Sequence, residues 1–253
     1  MCFSRVRTIS AGVKPRLQAR MGLEIERART QLAIAAARPG NPWLPLLWLF
    51  AFCIIATRGY AAPGEPEPAL RLSGVALMRA LQAGGHVIYF RHADTGAASP
   101  EPASVDLQRC ETQRNLNEHG RSQARQIGEE FRRLNIPVGE VLASEFCRCW
   151  QTAELAFGRF RKANALTGVS RDPASAEQRA QTATALRRLL ATPPDRLTNT
   201  VLISHGYNLY DAEGFLLGTQ GEAVIYLPDG HGGYRLLARL APEDWARLPR
   251  TAH

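Results

Sequence analysis

Metal-ligand clusters, nucleotide loops, internal repeats and long membrane spans are all missing from this chain of 253 residues, and each absence narrows its chemistry. Cys147-Arg148-Cys149 stands without further Cys or His partners at zinc spacing, and His86, His119, His231 and His253 are scattered, so neither metal nor cofactor is expected. Gly84-Gly85 precedes a strand rather than a helix, which excludes a Gly-rich nucleotide loop. Lysine is nearly absent: beyond the first 62 residues Lys162 is the only one, and the positive charge is carried by arginine.

The net charge of +8 at first points to an acidic partner. Residues 1–62 hold nine Lys and Arg against two acids, which leaves 22 basic residues against 21 acidic ones in the remainder. The basicity thus belongs to the leader, and no footprint for nucleic acid remains. The longest apolar run, residues 43–56, falls short of the ~20 residues of a membrane span but suits the core of a signal peptide. Gly59-Tyr60-Ala61-Ala62-Pro63 places small residues where cleavage after Ala61 or Ala62 is possible. Residues 1–62 are therefore a basic leader, either a signal peptide or an uncleaved signal anchor, with Met21 an alternative start; 63–71 form a linker. The expected location is periplasmic or otherwise extracytoplasmic, with membrane contact only through an uncleaved leader. An oxidising compartment would let Cys110 pair with Cys147 or Cys149; three buried thiols are the alternative.

Residues 72–253 are long enough for one sizeable core. Ser73 is positioned to cap a helix that stops at Gly84-Gly85, and Asn117 to cap a second one with Ala124, Ile127, Phe131 and Leu134 at helical spacing. Strands are expected at 86–90, 140–143, 200–203, 222–227 and 234–238, with helices at 149–157 and 176–190 and a further segment at 209–217. Residues 158–175 read as irregular, and 94–112 as a polar loop with Pro100 and Pro102. Strands alternating with helices predict an α/β fold: a mostly parallel sheet, helices on both faces, and a late antiparallel edge strand.

Two strands run into histidines. Val87-Ile88-Tyr89-Phe90 leads to Arg91-His92-Ala93, and Thr200-Val201-Leu202-Ile203 leads to Ser204-His205-Gly206. The carboxyl edge of such a sheet is where α/β folds build their sites. Between them, Ser144-Glu145-Phe146-Cys147-Arg148-Cys149-Trp150-Gln151-Thr152-Ala153 offers a second arginine. Two Arg and two His suit a phosphate dianion, because guanidinium binds oxygens in pairs and a neutral imidazole attacks phosphorus.

These elements, in this order, resemble the histidine phosphatase superfamily, the phosphoglycerate mutase-like fold, over about residues 72–240. The resemblance implies a metal-independent phosphatase acting on small phosphorylated substrates, with phosphorylated envelope sugars among them by likeness to exported relatives. It makes His92 the nucleophile, with Arg91, Arg148 and His205 holding the phosphoryl group, and Asn208 and Arg114 as further substrate contacts. Neither the His-Asp dipeptide of the acid phosphatase branch nor the Arg-His-Gly-Glu of the mutases is present. The general acid is therefore open among Glu222, Asp94 and Asp106, with Glu222 favoured because it starts a strand after Gly221. A non-catalytic phosphate- or phosphosugar-binding module without an acid is the alternative.

Overall fold

The computed structural model describes residues 72–96, 105–195 and 197–250. The chain divides into two units, Met1–Gly64 and Glu65–His253, and the described residues all lie in the second. The leader, the linker, Pro100, Pro102 and His253 lie outside them. Among the described residues no helix is long and apolar enough to cross a membrane.

In chain order the elements are α1 (Gly74–Ala83), β1 (Val87–Arg91), α2 (Glu118–Arg133), β2 (Val138–Ala143), α3 (Cys147–Phe157), β3 (Arg161–Lys162), α4 (Ala176–Ala191), β4 (Asn199–Ser204), α5 (Gly206–Glu213), β5 (Ala223–Pro228), β6 (Tyr234–Leu240) and α6 (Asp244–Arg247). The strands form one sheet in the order β3-β2-β4-β1-β5-β6. Pairs β3/β2, β2/β4 and β4/β1 are parallel, while β1/β5 and β5/β6 are antiparallel. The late hairpin is at the edge as expected, but the strand that runs against the others is β5, which β6 covers.

Both faces of the sheet are buried, and the alternation along β1 shows how. Ile88 and Phe90 join Leu77, Phe131 and Trp245 beneath α1, α2, α3 and α6. Val87 and Tyr89 point the other way, toward Leu186, Leu190 and Leu209 of α4 and α5. Trp245, on the four-residue α6, is fully buried, with ring centroids 4.9 Å from Phe131 and 5.8 Å from Phe90. No periodicity in the sequence marks so short a helix.

The caps differ from one another. Asn117 accepts from the Gly120 N–H at 2.7 Å, as its position predicts. Ser73 sits at the N-cap position of α1, but its side chain makes no capping bond. Two helices are positioned by close backbone approach. A methyl group on Gly128 would lie 2.0 Å from the Ala156 carbonyl oxygen, and one on Gly120 only 1.9 Å from that of Asp94. Glycine therefore lets α2 press against α3 and against the loop that follows β1. The segment at 209–217 is helical as far as Glu213, in α5, which begins at Gly206 directly after β4 and so brings Asn208 into its first turn. The stretch 158–175 contributes the two-residue strand β3.

Candidate active site

Strand register delivers the two histidines. Arg91 pairs with Ser204 across the parallel β1/β4 ladder, so His92 and His205 leave adjacent strands at the same level. The His92 N–H donates to the Ser204 carbonyl at 2.9 Å, and the two rings meet edge to face with centroids 5.5 Å apart. Both are buried.

His92 Nδ1 lies 2.8 Å from the Ala93 carbonyl oxygen. A carbonyl only accepts, so Nδ1 carries the proton and Nε2 keeps its lone pair. Burial, reinforced by the Arg148 guanidinium, holds the His92 pKa well below the ordinary 6.5; the Ala93 bond opposes this without reversing it. His205 is held low in the same way, by burial first and Arg148 second. Arg148 Nη2 donates to His205 Nδ1 at 3.4 Å, which places the His205 proton on Nε2, 3.0 Å from Ser144 Oγ. Both imidazoles are therefore neutral at pH 7 in the free protein, each with its tautomer fixed by a neighbour.

The cations come from three separate segments. Arg148, in the first turn of α3, lies over the Phe146 ring at 4.3 Å and donates to the Arg114 carbonyl at 3.4 Å. Phe146 also packs edge-on to His205, with centroids 5.0 Å apart. Arg114 donates to Thr95 Oγ1 at 2.8 Å, and Arg91 to the Leu217 carbonyl at 3.3 Å. Thr152 ties the parts together: its Oγ1 accepts from the Ala93 N–H at 3.1 Å and donates to the Arg148 carbonyl at 2.7 Å. Arg91, His92, Arg114, Arg148, His205 and Asn208 all line one cavity of about 610 Å³. The chains of α3 and α5 begin at its wall, and helix N-termini favour anions.

A disulfide joins Cys110 to Cys147, and Cys149 stays out of it. Of the pairings open to the sequence, this one links the segment preceding Arg114 to the residue before Arg148. Gln113 strengthens the link, since its Oε1 accepts from the Cys147 N–H at 2.9 Å. Cys149 Sγ instead faces His205 Nε2 at 3.5 Å and the Ser204 carbonyl at 3.6 Å.

None of the three acid candidates lines the cavity. Glu222 is buried, but its carboxylate does not line the cavity. Oε2 accepts from the N–H groups of Gly218 and Thr219 at 2.6 and 3.1 Å, and Oε1 accepts from Arg239 Nη2 and Nε at 2.6 and 3.0 Å. A carboxylate that ties a turn to a neighbouring strand through four donors is held away from the cavity and reaches no leaving group there. Asp94 faces Asn117, the Gly96 N–H and His119. Partial burial raises its pKa, but the bonds from Asn117 and Gly96 outweigh that and the net direction is down, the wrong way for an acid. Asp106 is exposed and accepts from the Gln108 N–H at 2.9 Å. Among the described residues no Asp or Glu lines the cavity. Nor, among them, does any group of three or more His, Cys, Asp or Glu stand close enough to hold a metal.

Sequence reasoning missed Phe146, Arg171 and Tyr207 as parts of this cavity's lining, and Thr95 as the partner of Arg114. Loop side chains carry no periodic signal, although Phe146 and Thr152 flank Arg148 closely enough to have been included.

Residues 87–173 match the family model of the histidine phosphatase superfamily (branch 1), a segment that contains β1, His92, Arg114 and Arg148. Over those residues the chain is similar to the histidine phosphatase superfamily. Among solved structures, the protein histidine phosphatase SixA complexed with tungstate aligns at 20% identity and TM-score 0.40, covering 63% of this chain and 98% of that one. Phosphoserine phosphatase from Entamoeba histolytica in complex with 3-phosphoglyceric acid aligns at 13% identity and TM-score 0.46, covering 62% and 96%. A mycobacterial glucosyl-3-phosphoglycerate phosphatase aligns at 17% and 0.43, covering 61% and 98%. No curated protein sequence matches the chain. His205 lies beyond the matched segment, and the β1/β4 register is what joins it to the family's Arg-His.

Proposed function

We propose that this histidine phosphatase domain is a metal-independent phosphatase of the cell envelope that works through a phosphohistidine on His92. One observation carries the reading: a buried, neutral imidazole with Nδ1 engaged by Ala93, in a cavity shared with Arg91, Arg114 and Arg148.

The lone pair of Nε2 forms a bond to phosphorus as the P–O bond to the leaving group breaks and its electron pair departs with that oxygen. The three guanidiniums lie where the equatorial oxygens gather charge, and preorganised donors of this kind often supply the largest share of catalysis. The His92 proton stays on Nδ1, where Ala93 holds it as positive charge grows on the ring. Water then attacks the phosphorus, the P–N bond breaks, and inorganic phosphate leaves with the neutral imidazole restored.

The leaving group must be protonated, and no lining carboxylate serves it among the described residues. Substrates whose leaving groups need little help are therefore favoured: phosphoramidates such as phosphohistidine, aryl phosphates and anomeric sugar phosphates. The same lack of an acid favours a competing reading, a phosphate-binding module without turnover. Envelope location rests on the leader's sequence, and recovery of the full-length protein from the cytosol with its leader intact would overturn it.

Rapid quenching of the full chain during turnover of a radiolabelled aryl phosphate tests the reaction. An acid-labile, base-stable adduct on His92, with turnover lost in His92→Ala, is expected. Phosphate affinity with no release from any aryl phosphate would establish the binding module instead.

A further inference from the structure

The cavity is far larger than one phosphoryl group requires, and its outer wall has a chemistry of its own. A volume of about 610 Å³ is that of a site for a whole small molecule. Beyond the two histidines and three inner arginines, the lining continues through Gly168, Val169, Ser170 and Arg171 on one side, and Tyr207, Leu216 and Leu217 on the other.

Two features mark this wall as built for contact. Among the described residues only five large hydrophobic side chains are exposed, and two of them, Tyr207 and Leu216, line this mouth, with a third, Tyr210, one helical turn from Tyr207. Clustered exposed apolar groups mark binding surfaces, whereas scattered ones do not. The second feature is a fourth guanidinium held in place. Arg171 gives Nη1 to both Asp211 oxygens at 2.7 and 2.8 Å, and its Cζ lies 4.9 Å from the Tyr207 ring centroid. Asp211 takes Nη1, and Arg171 still lines the cavity.

Arg171 is close to the reacting centre. The Gly168 backbone abuts the His205 ring, where a methyl group would sit 3.1 Å from Cδ2. Three residues of chain span at most about 10–11 Å, so Arg171 is within that distance of Gly168. Tyr207 is two residues from His205. With four arginines and no carboxylate in the described lining, the cavity holds more positive charge than one phosphoryl dianion neutralises, even after Asp211 offsets one.

We infer that this outer wall is a leaving-group subsite for a sugar that carries a second anionic group, the C–H face of its ring on Tyr207 and Leu216 and its anion on Arg171. The inference deepens the proposed phosphatase reading and rests on it for the inner pocket. Glucuronic acid 1-phosphate and glucose 1-phosphate make a matched pair of probes, with the same ring and the same scissile bond, differing by one carboxylate at the far end.

Phosphate release by the full chain is measured on both. The wild type is expected to show a kcat/KM about tenfold higher for the glucuronate, the size of one charge-assisted contact, and Arg171→Gln to bring that ratio close to one. Tyr207→Ala is expected to lower kcat/KM for both sugars more than for methyl phosphate. A wild-type ratio near one, or a ratio that Arg171→Gln leaves intact, overturns the subsite. If the wild type releases phosphate from neither sugar nor an aryl phosphate, the phosphatase reading fails. The subsite is then judged by calorimetric binding of the same two sugars to the same two proteins, with the same ratio expected and the same result overturning it.

Discussion

Removing the Cys110–Cys147 bridge perturbs both the stability of the domain and the placement of two of its anion-binding arginines. The bridge closes a 37-residue loop that contains all of α2 and β2. In the chain-entropy description, freeing a loop of this length in the unfolded state costs about 4 kcal/mol of folding stability. With a urea dependence of about 2 kcal/mol per molar, the unfolding midpoint of Cys110→Ser/Cys147→Ser should fall by about 2 M. Reduced wild type should match it, and Cys149→Ser should not, because that thiol lies outside the bridge. The same double variant loosens Arg114 against Arg148, leaving the Gln113–Cys147 and Arg148–Arg114 hydrogen bonds to hold the two segments. Its KM for an aryl phosphate should rise severalfold under conditions where the domain remains folded. A midpoint shift below about 0.5 M would refute the stability claim, and an unchanged KM the claim about the arginines.

Acid should unfold the domain through its active-site histidines. His92 and His205 have native pKa values well below 6.5, so the unfolded chain takes up protons first as pH falls. Their contribution is complete above pH 6.5 and is lost progressively below it, by up to about 1.4 kcal/mol per pH unit for each; His86 adds to it with the same sign. Urea midpoints at pH 7.5 and 5.5 check this, and a His92→Gln/His205→Gln variant with the wild-type pH dependence would contradict it. Glu222→Gln separates a structural carboxylate from an acid. It should cost about 1–2 kcal/mol through the weakened Arg239 pair and lower turnover of alkyl and aryl phosphates by the same factor, whereas loss confined to alkyl phosphates would restore Glu222 as the donor.

Much of this was legible in the sequence because strands that end in charged residues announce themselves. Val87 to Phe90 is buried on both faces, so Arg91 and His92 had to mark the point where the sheet stops and a site begins. Asn117 declared its helix by its side-chain oxygen. What stayed hidden depended on direction rather than identity. Cys147 and Cys149 lie two residues apart on α3, about 200° around the helix axis, so only one can reach Cys110, and the sequence does not say which. Glu222 stands one residue before β5, and its carboxylate turns back to the Gly218 and Thr219 amides. Trp245 anchors one core from a helix of a single turn, too short for any periodic pattern to reveal.

The pairing of Arg91 with Ser204 has a consequence for how such a protein changes over time. The spacing of the two imidazoles is inherited from the ladder, the part of the molecule least tolerant of insertion. The residues at the mouth from Gly168 to Arg171 and from Gly214 to Leu217 lie on loops that can lengthen or mutate without disturbing that spacing. New substrates can therefore be tried at the rim while the reacting atoms keep their places, so selectivity can drift and chemistry stay fixed.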